Sequence, residues 1–244
     1  MAEYDASAYG ERIADVYDQW PRVPKNVEAT VEFLATRAGP GPVLELGIGT
    51  GRVALPLAER GLFHGIDASP AMVAKLRAKP GGDRIPVVIG NFVDMGIEGR
   101  FLLVFVVFNT FFALLSQDDQ VRCFKGVAEH LTDDGVFVIE AFVPDPTRWN
   151  QGQRVGAIEV GADRVHLETS VHDPLTQRVR SQRVVISDQG IRLYPVWIRY
   201  AWPSELDLMA RLAGLRLRER WAGWSRELFT ATSATYVSVY GRGT

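Results

Sequence analysis

The chain has 244 residues, room for one large domain with a sizeable core. Hydrophobic residues are 47% and charged residues 23%, which excludes a disordered, collagen-like or coiled-coil chain. Lys plus Arg number 27 against 29 Asp plus Glu, a net charge of −2, so no basic field draws the whole chain onto nucleic acid or an anionic membrane.

The opening residues carry no charged segment followed by an apolar one, so no signal peptide is expected. Two short apolar stripes predict helices on either side of Pro21 and Pro24. The first is Ile13, Val16 and Tyr17; the second is Val27, Val31, Leu34 and Ala35. Gly39-Pro40-Gly41-Pro42 breaks the chain, and a short strand begins at Val43. Gly47-Ile48-Gly49-Thr50-Gly51 follows, then a helical stretch through Arg60. Strands are predicted over 63–66, 86–89, 103–108 and 136–141. Ser69 and Pro70 cap and open a helix, and 117–131 reads as an amphipathic one. The strand over 103–108 is apolar throughout, as in strands covered on both faces. The run 101–108 is still under half the length of a membrane-spanning helix. Cys123 is the single cysteine, expected as a buried inert thiol. With no disulfide framework available, a reducing, cytoplasmic location is expected.

From about Arg154 to Trp202 the pattern changes to four strands at roughly ten-residue spacing. The breaks are Gly161-Ala162-Asp163, Asp173-Pro174 and Asp188-Gln189-Gly190. A helix over 203–213 and strands over 215–221 and 235–240 complete the chain. The prediction is an α/β fold: a Rossmann-like seven-stranded sheet with helices on both faces and an inserted antiparallel cap. Residues 1–37 form an N-terminal helical lid, 38–150 and 203–244 the main domain, and 151–202 the cap.

The loop Gly47–Gly51 sits between a strand and a helix, where glycines permit a tight turn and close approach of a ligand. A dinucleotide fingerprint wants glycine or alanine three residues past Gly49, but Arg52 stands there. An acid, Glu45, lies two residues before Gly47. The pattern of an acid, an apolar residue and Gly-x-Gly-x-Gly resembles motif I of the class I S-adenosylmethionine-dependent methyltransferases. The resemblance covers roughly residues 40 to 145. It implies S-adenosyl-L-methionine as cofactor, with Glu45, Gly47, Gly49 and Gly51 wrapped about its methionine half. It further implies that Asp67, with Ala68 beside it, holds the ribose; a carboxylate accepts both sugar hydroxyls. Asn91 and Phe92 would meet the adenine, with Asp94 as the alternative acid to Asn91. Asn109 and Thr110 would border the transferred methyl. Tyr9, Tyr17 and Trp20 would lid the cofactor, Tyr17 facing the sulfonium. The chain departs from the family's common form with Phe101-Leu102 and with Asp133-Asp134-Gly135, positions that do not usually touch cofactor.

The cap resembles that of methyltransferases acting on small amines, nucleotide-sugar N-methyltransferases and glycine N-methyltransferase-like enzymes among them. His166, Glu168, Ser170 and His172 share one strand face; Val165, Leu167, Thr169 and Val171 share the other. If the polar face meets the pocket, His166 is the candidate general base and Glu168 its partner or substitute. Trp197, Arg199 and Tyr200 are candidates for shaping the acceptor site, and Glu140 is an edge acid near it. No His or Cys spacing suggests a metal. The expected activity is methyl transfer to a nitrogen or oxygen of a small molecule such as an amino sugar, amino acid or secondary metabolite. No nucleic acid or membrane partner is expected, and a homodimer stays open. The rivals are a nicotinamide-dependent oxidoreductase and a non-catalytic S-adenosylmethionine-binding protein.

Overall fold

The structure is a computed structural model that describes residues 4, 5, 7–20 and 27–243. Pro21 and Pro24 lie outside the described residues. The elements in chain order are α1 (Ala8–Ile13), α2 (Glu28–Ala38), β1 (Val43–Leu46), α3 (Ala54–Ala58), β2 (Phe63–Asp67), α4 (Pro70–Arg77), β3 (Val87–Ile89), β4 (Phe101–Val106), α5 (Gln117–His130) and β5 (Leu131–Phe142). They continue with β6 (Gln153–Val160), β7 (Arg164–Asp173), β8 (Arg178–Ser187), β9 (Gly190–Arg199), α6 (Pro203–Leu212), β10 (Leu215–Trp221) and β11 (Thr235–Arg242).

Seven strands form one mixed sheet in the order β10-β11-β5-β4-β1-β2-β3. Strands β1 to β5 pair in parallel, and β11 runs antiparallel to both neighbours. The expected α/β architecture is therefore present. Alternate residues of β4 supply both faces of the core. Leu103 and Phe105 join Leu34, Val43, Leu57 and Val138 on one side. Val104 and Val106 join Leu44, Phe124, Phe137 and Tyr240 on the other. Helix starts follow local chemistry: the Ser69 hydroxyl accepts Met72 N–H at 3.2 Å, and the Ser116 hydroxyl accepts Asp119 N–H at 3.0 Å. Strand addition reverses between β1 and β4, which opens a crevice at the carboxyl ends of the sheet.

The inserted strands form a separate antiparallel sheet in the order β6-β7-β8-β9. Helix α1 is held between this sheet and α4, where Ile13, Ala14 and Trp20 pack with Met72 and Tyr194. Glu11 fixes α1 onto α4: its carboxylate accepts the Ser69 hydroxyl at 2.7 Å and Ala71 N–H at 2.9 Å. Several boundaries differ from expectation: β5, for one, begins at Leu131, directly after α5, rather than at 136. β4 ends at Val106 because Phe108 and Asn109 turn the chain with φ of 56° and 65°. α3 stops at Ala58, short of Arg60. No helix of the described residues is long and apolar enough to cross a membrane.

Candidate functional site

Gly47, Gly49 and Gly51 all have positive φ, which only glycine adopts without strain. They serve different ends. A Cβ on Gly47 would meet Thr110 Cγ2 at 2.4 Å, and one on Gly51 would meet Leu76 Cδ1 at 2.2 Å. Gly51 thus allows close packing and does not line the cavities described next. Among the described residues, a Cβ on Gly49 would meet nothing nearer than the Gly47 carbonyl at 3.9 Å, so the space above it is open.

That space belongs to a cavity of about 110 Å³ at the crevice. Gly47, Gly49, Asp67, Ala68, Asn91 and Phe92, all singled out in the sequence, line it. Tyr9 and Tyr17 close it from the N-terminal segment. A smaller adjoining space is lined by Glu45, Arg52 and Phe108, and it shares Tyr17, Gly47, Gly49 and Thr110 with the first. Reasoning from the sequence missed Tyr4, Gly10, Met72, Ala113 and Leu114, which also line the main cavity.

Asp67 organises the loop. Its two carboxylate oxygens accept Gly49 N–H at 2.7 Å and Ser69 N–H at 2.8 Å. Burial raises its pKa against the lowering effect of those two bonds. Each oxygen keeps a second lone pair for a ligand. Glu45 is fully buried, and its Oε2 has no hydrogen-bond partner among the described residues. Burial holds its pKa well above the ordinary carboxyl value, with the Arg52 guanidinium opposing. Arg52 lies over the rings of Phe108 at 4.5 Å and Tyr17 at 5.2 Å, and donates to the Tyr17 hydroxyl at 3.2 Å. The guanidinium is thus held between Tyr17 and Phe108.

Several candidates are placed elsewhere. Asn109 lines neither cavity; its amide oxygen accepts Phe142 N–H at 2.7 Å and ties the end of β4 to β5. Thr110 takes the lining position instead. Asp94 is exposed and pairs with Arg122, whereas Asn91 lines the cavity and accepts Val93 N–H at 3.1 Å. His166 is buried on the inner face of the cap, 5.2 Å from the Trp20 ring, and lines neither cavity. Its nearest acid is Glu159 across the β6–β7 pair, at 3.7 Å, not Glu168. Glu168 faces Arg183 at 3.7 Å and also lines neither cavity. Arg199 is buried in bonds to Gln120 at 2.6 Å and Glu205 at 2.8 Å, so it braces the cap against α5 and α6.

Glu140 is also structural. It accepts the backbone N–H groups of Phe108 and Asn109, clamping the two left-handed residues. Burial pushes its carboxyl up to about 7. A carboxyl whose folded pKa exceeds its unfolded value favours the folded state while protonated. Its contribution is complete below the unfolded value and is lost as pH rises through the folded one. Over pH 4.5 to 7 the native protein is expected to lose about 3 kcal/mol relative to Glu140→Gln. Urea unfolding of both proteins across that range checks this; parallel stability curves would refute it.

Comparison with known proteins agrees with this geometry. A family profile described as a methyltransferase domain matches residues 43–135. The CcbJ methyltransferase of Streptomyces caelestis is 45% identical, with a TM-score of 0.93 over 99% of this chain and 100% of that one. The cypemycin N-terminal methyltransferase of a Streptomyces species is 28% identical over 98% of this chain and 99% of its own. An amino pentose methyltransferase of Micromonospora echinaspora, solved with S-adenosylmethionine bound, shares the fold at a TM-score of 0.67 and 22% identity, over 89% of this chain and 92% of that one. The last of these holds the cofactor that the orphaned Glu45 oxygen and the open space above Gly49 fit. The chain belongs to the class I S-adenosylmethionine-dependent methyltransferases.

Proposed function

We propose that the protein transfers a methyl group to a nitrogen of a small molecule held beneath the cap. The observation that carries this reading is the lining of the main cavity. Among the described residues it contains one carboxylate, Asp67, already accepting two backbone N–H groups, and no histidine or lysine. A hydroxyl must lose its proton as it attacks, so an oxygen acceptor gains from a well-placed base. A neutral amine already has a free lone pair. The N-terminal and amino pentose methyltransferases named above point the same way.

S-adenosylmethionine supplies a methyl group already activated on a sulfonium sulfur. What is left to the chain is to bind and orient. Glu45 and Arg52 would receive the charged methionine end, since both border the smaller space. Asp67 would hold the ribose hydroxyls, and Phe92 and Asn91 would meet the adenine. Tyr9, Tyr17 and α1 would exclude water from the reacting centre, with residues 151–202 as cap. Tyr17 also holds the Arg52 guanidinium with its hydroxyl and ring.

Matched acceptors test the reading. Formation of S-adenosylhomocysteine is measured on a panel of small amines and their hydroxyl counterparts. Amines are expected to turn over at least about a hundredfold faster, the scale of a missing general base. Faster turnover of the alcohols would overturn it.

A further inference from the structure

A second cavity of about 780 Å³ lies beside the first. The Tyr4 ring lines both, and the consecutive residues Leu114 and Leu115 line one each. Tyr4 sits at the outer edge of the cap, since β9 pairs with β8 alone. Its ring stacks on Trp197 with centroids 4.6 Å apart, and its hydroxyl accepts Trp197 N–H at 3.2 Å. Tyr4 therefore stands where the first cavity meets its larger neighbour.

The charges around this second cavity are unbalanced. Its carboxylate, Asp173, is satisfied within its own turn, accepting Leu175 N–H at 3.0 Å and the Thr176 hydroxyl at 2.6 Å. Arg178 donates Nε to the Leu115 carbonyl at 2.8 Å, and no carboxylate among the described residues pairs with its terminal nitrogens. Arg180 lies 5.9 Å from the Trp197 ring and has no carboxylate partner among the described residues. Deeper arginines of the cap differ: Arg183 faces Glu168, and Arg199 pairs with Glu205. Two guanidinium groups and an indole thus surround a space with one carboxylate that is already engaged.

We propose that this cavity binds a carboxylate carried by the acceptor, while the acceptor's amine reaches past Tyr4 to the cofactor. The proposal rests on the reading of the protein as a small-molecule methyltransferase. A planar guanidinium grips a carboxylate with two parallel hydrogen bonds. The lining of two arginines and one aspartate carries a net charge of +1, which a monoanion neutralises. Trp197 and Ile198 offer apolar wall to the carbon skeleton joining acid and amine.

The test uses the protein saturated with S-adenosylhomocysteine, titrated calorimetrically with 3-phenylpropionate and with 3-phenylpropionamide. The acid is expected to bind at least about tenfold tighter, the scale of a charge-assisted hydrogen bond. In the double variant Arg178→Gln, Arg180→Gln that preference is expected to vanish with affinity for S-adenosylhomocysteine unchanged. Arg180→Gln alone, exposed and away from the core, is expected to reduce it. Equal binding of acid and amide, binding of neither, or an undiminished preference in the double variant would overturn the proposal. Its failure is separable from that of the amine reading. Amine turnover without acid preference defeats the carboxylate subsite alone. Acid preference with faster turnover of alcohols defeats the amine reading alone.

Discussion

Gly49→Val is expected to abolish S-adenosylmethionine binding while leaving the protein folded. Two effects combine. Gly49 has φ of +56°, a conformation that is a severe outlier for a β-branched residue. The new side chain also extends into the cavity, because among the described residues the nearest atom to the added Cβ is the Gly47 carbonyl oxygen at 3.9 Å. No core contact is disturbed, so the harm falls on the ligand. Gly51 is the contrast: its Cβ would strike Leu76, and a bulky residue there would damage the fold itself. Gly49→Ala separates the two effects. It keeps the backbone strain, about 1–2 kcal/mol, with little added bulk, and is expected to bind more weakly than the native protein but detectably. Calorimetric titration beside a thermal melt reads both outcomes. Native affinity in Gly49→Val would remove the loop from the cofactor site.

Phe124→Ala is expected to destabilise the protein by about 3–5 kcal/mol. Phe124 is fully buried on α5 beneath the main sheet. Its ring meets those of Phe111 at 5.5 Å, Phe137 at 5.3 Å and Tyr240 at 5.6 Å, all edge to face. Truncation removes the transfer energy of the ring, three aromatic contacts and the packing around them. The loss is a large share of the roughly 5–15 kcal/mol typical of a folded domain. Urea unfolding measures it, and a change under about 1 kcal/mol would show that the neighbouring rings collapse into the gap.

The sequence and the structure agree where the causes are local. The apolar run of β4, the glycine alternation at 47–51, the Ser69-Pro70 helix start and the turn signals of the cap each depend on a few adjacent residues. They could therefore be read directly. Period-two alternation also separated the faces of β7 correctly: His166, Ser170 and His172 are buried, and Val171 is exposed. What alternation cannot show is what lies opposite. Trp20, from a distant part of the chain, fills the place before His166, while Trp149 and Tyr200 occupy His172. The polar face was thus consumed by packing and hydrogen bonds rather than left for chemistry. Asn109 failed as a lining residue for a different reason. Two successive left-handed residues, held by Glu140, rotate the chain so that Thr110 faces the cavity. Tyr4 gave no local signal; only the folding of the N-terminal segment along β9 brings it to the site.

The most direct measurement is a crystal structure of the protein with S-adenosylhomocysteine. The expected result places the ribose hydroxyls on the Asp67 carboxylate, the adenine against Phe92, and the amino-acid end beside Glu45 and Arg52. The nucleoside bound away from Gly49 and Asp67 would contradict the assignment of this cavity to the cofactor.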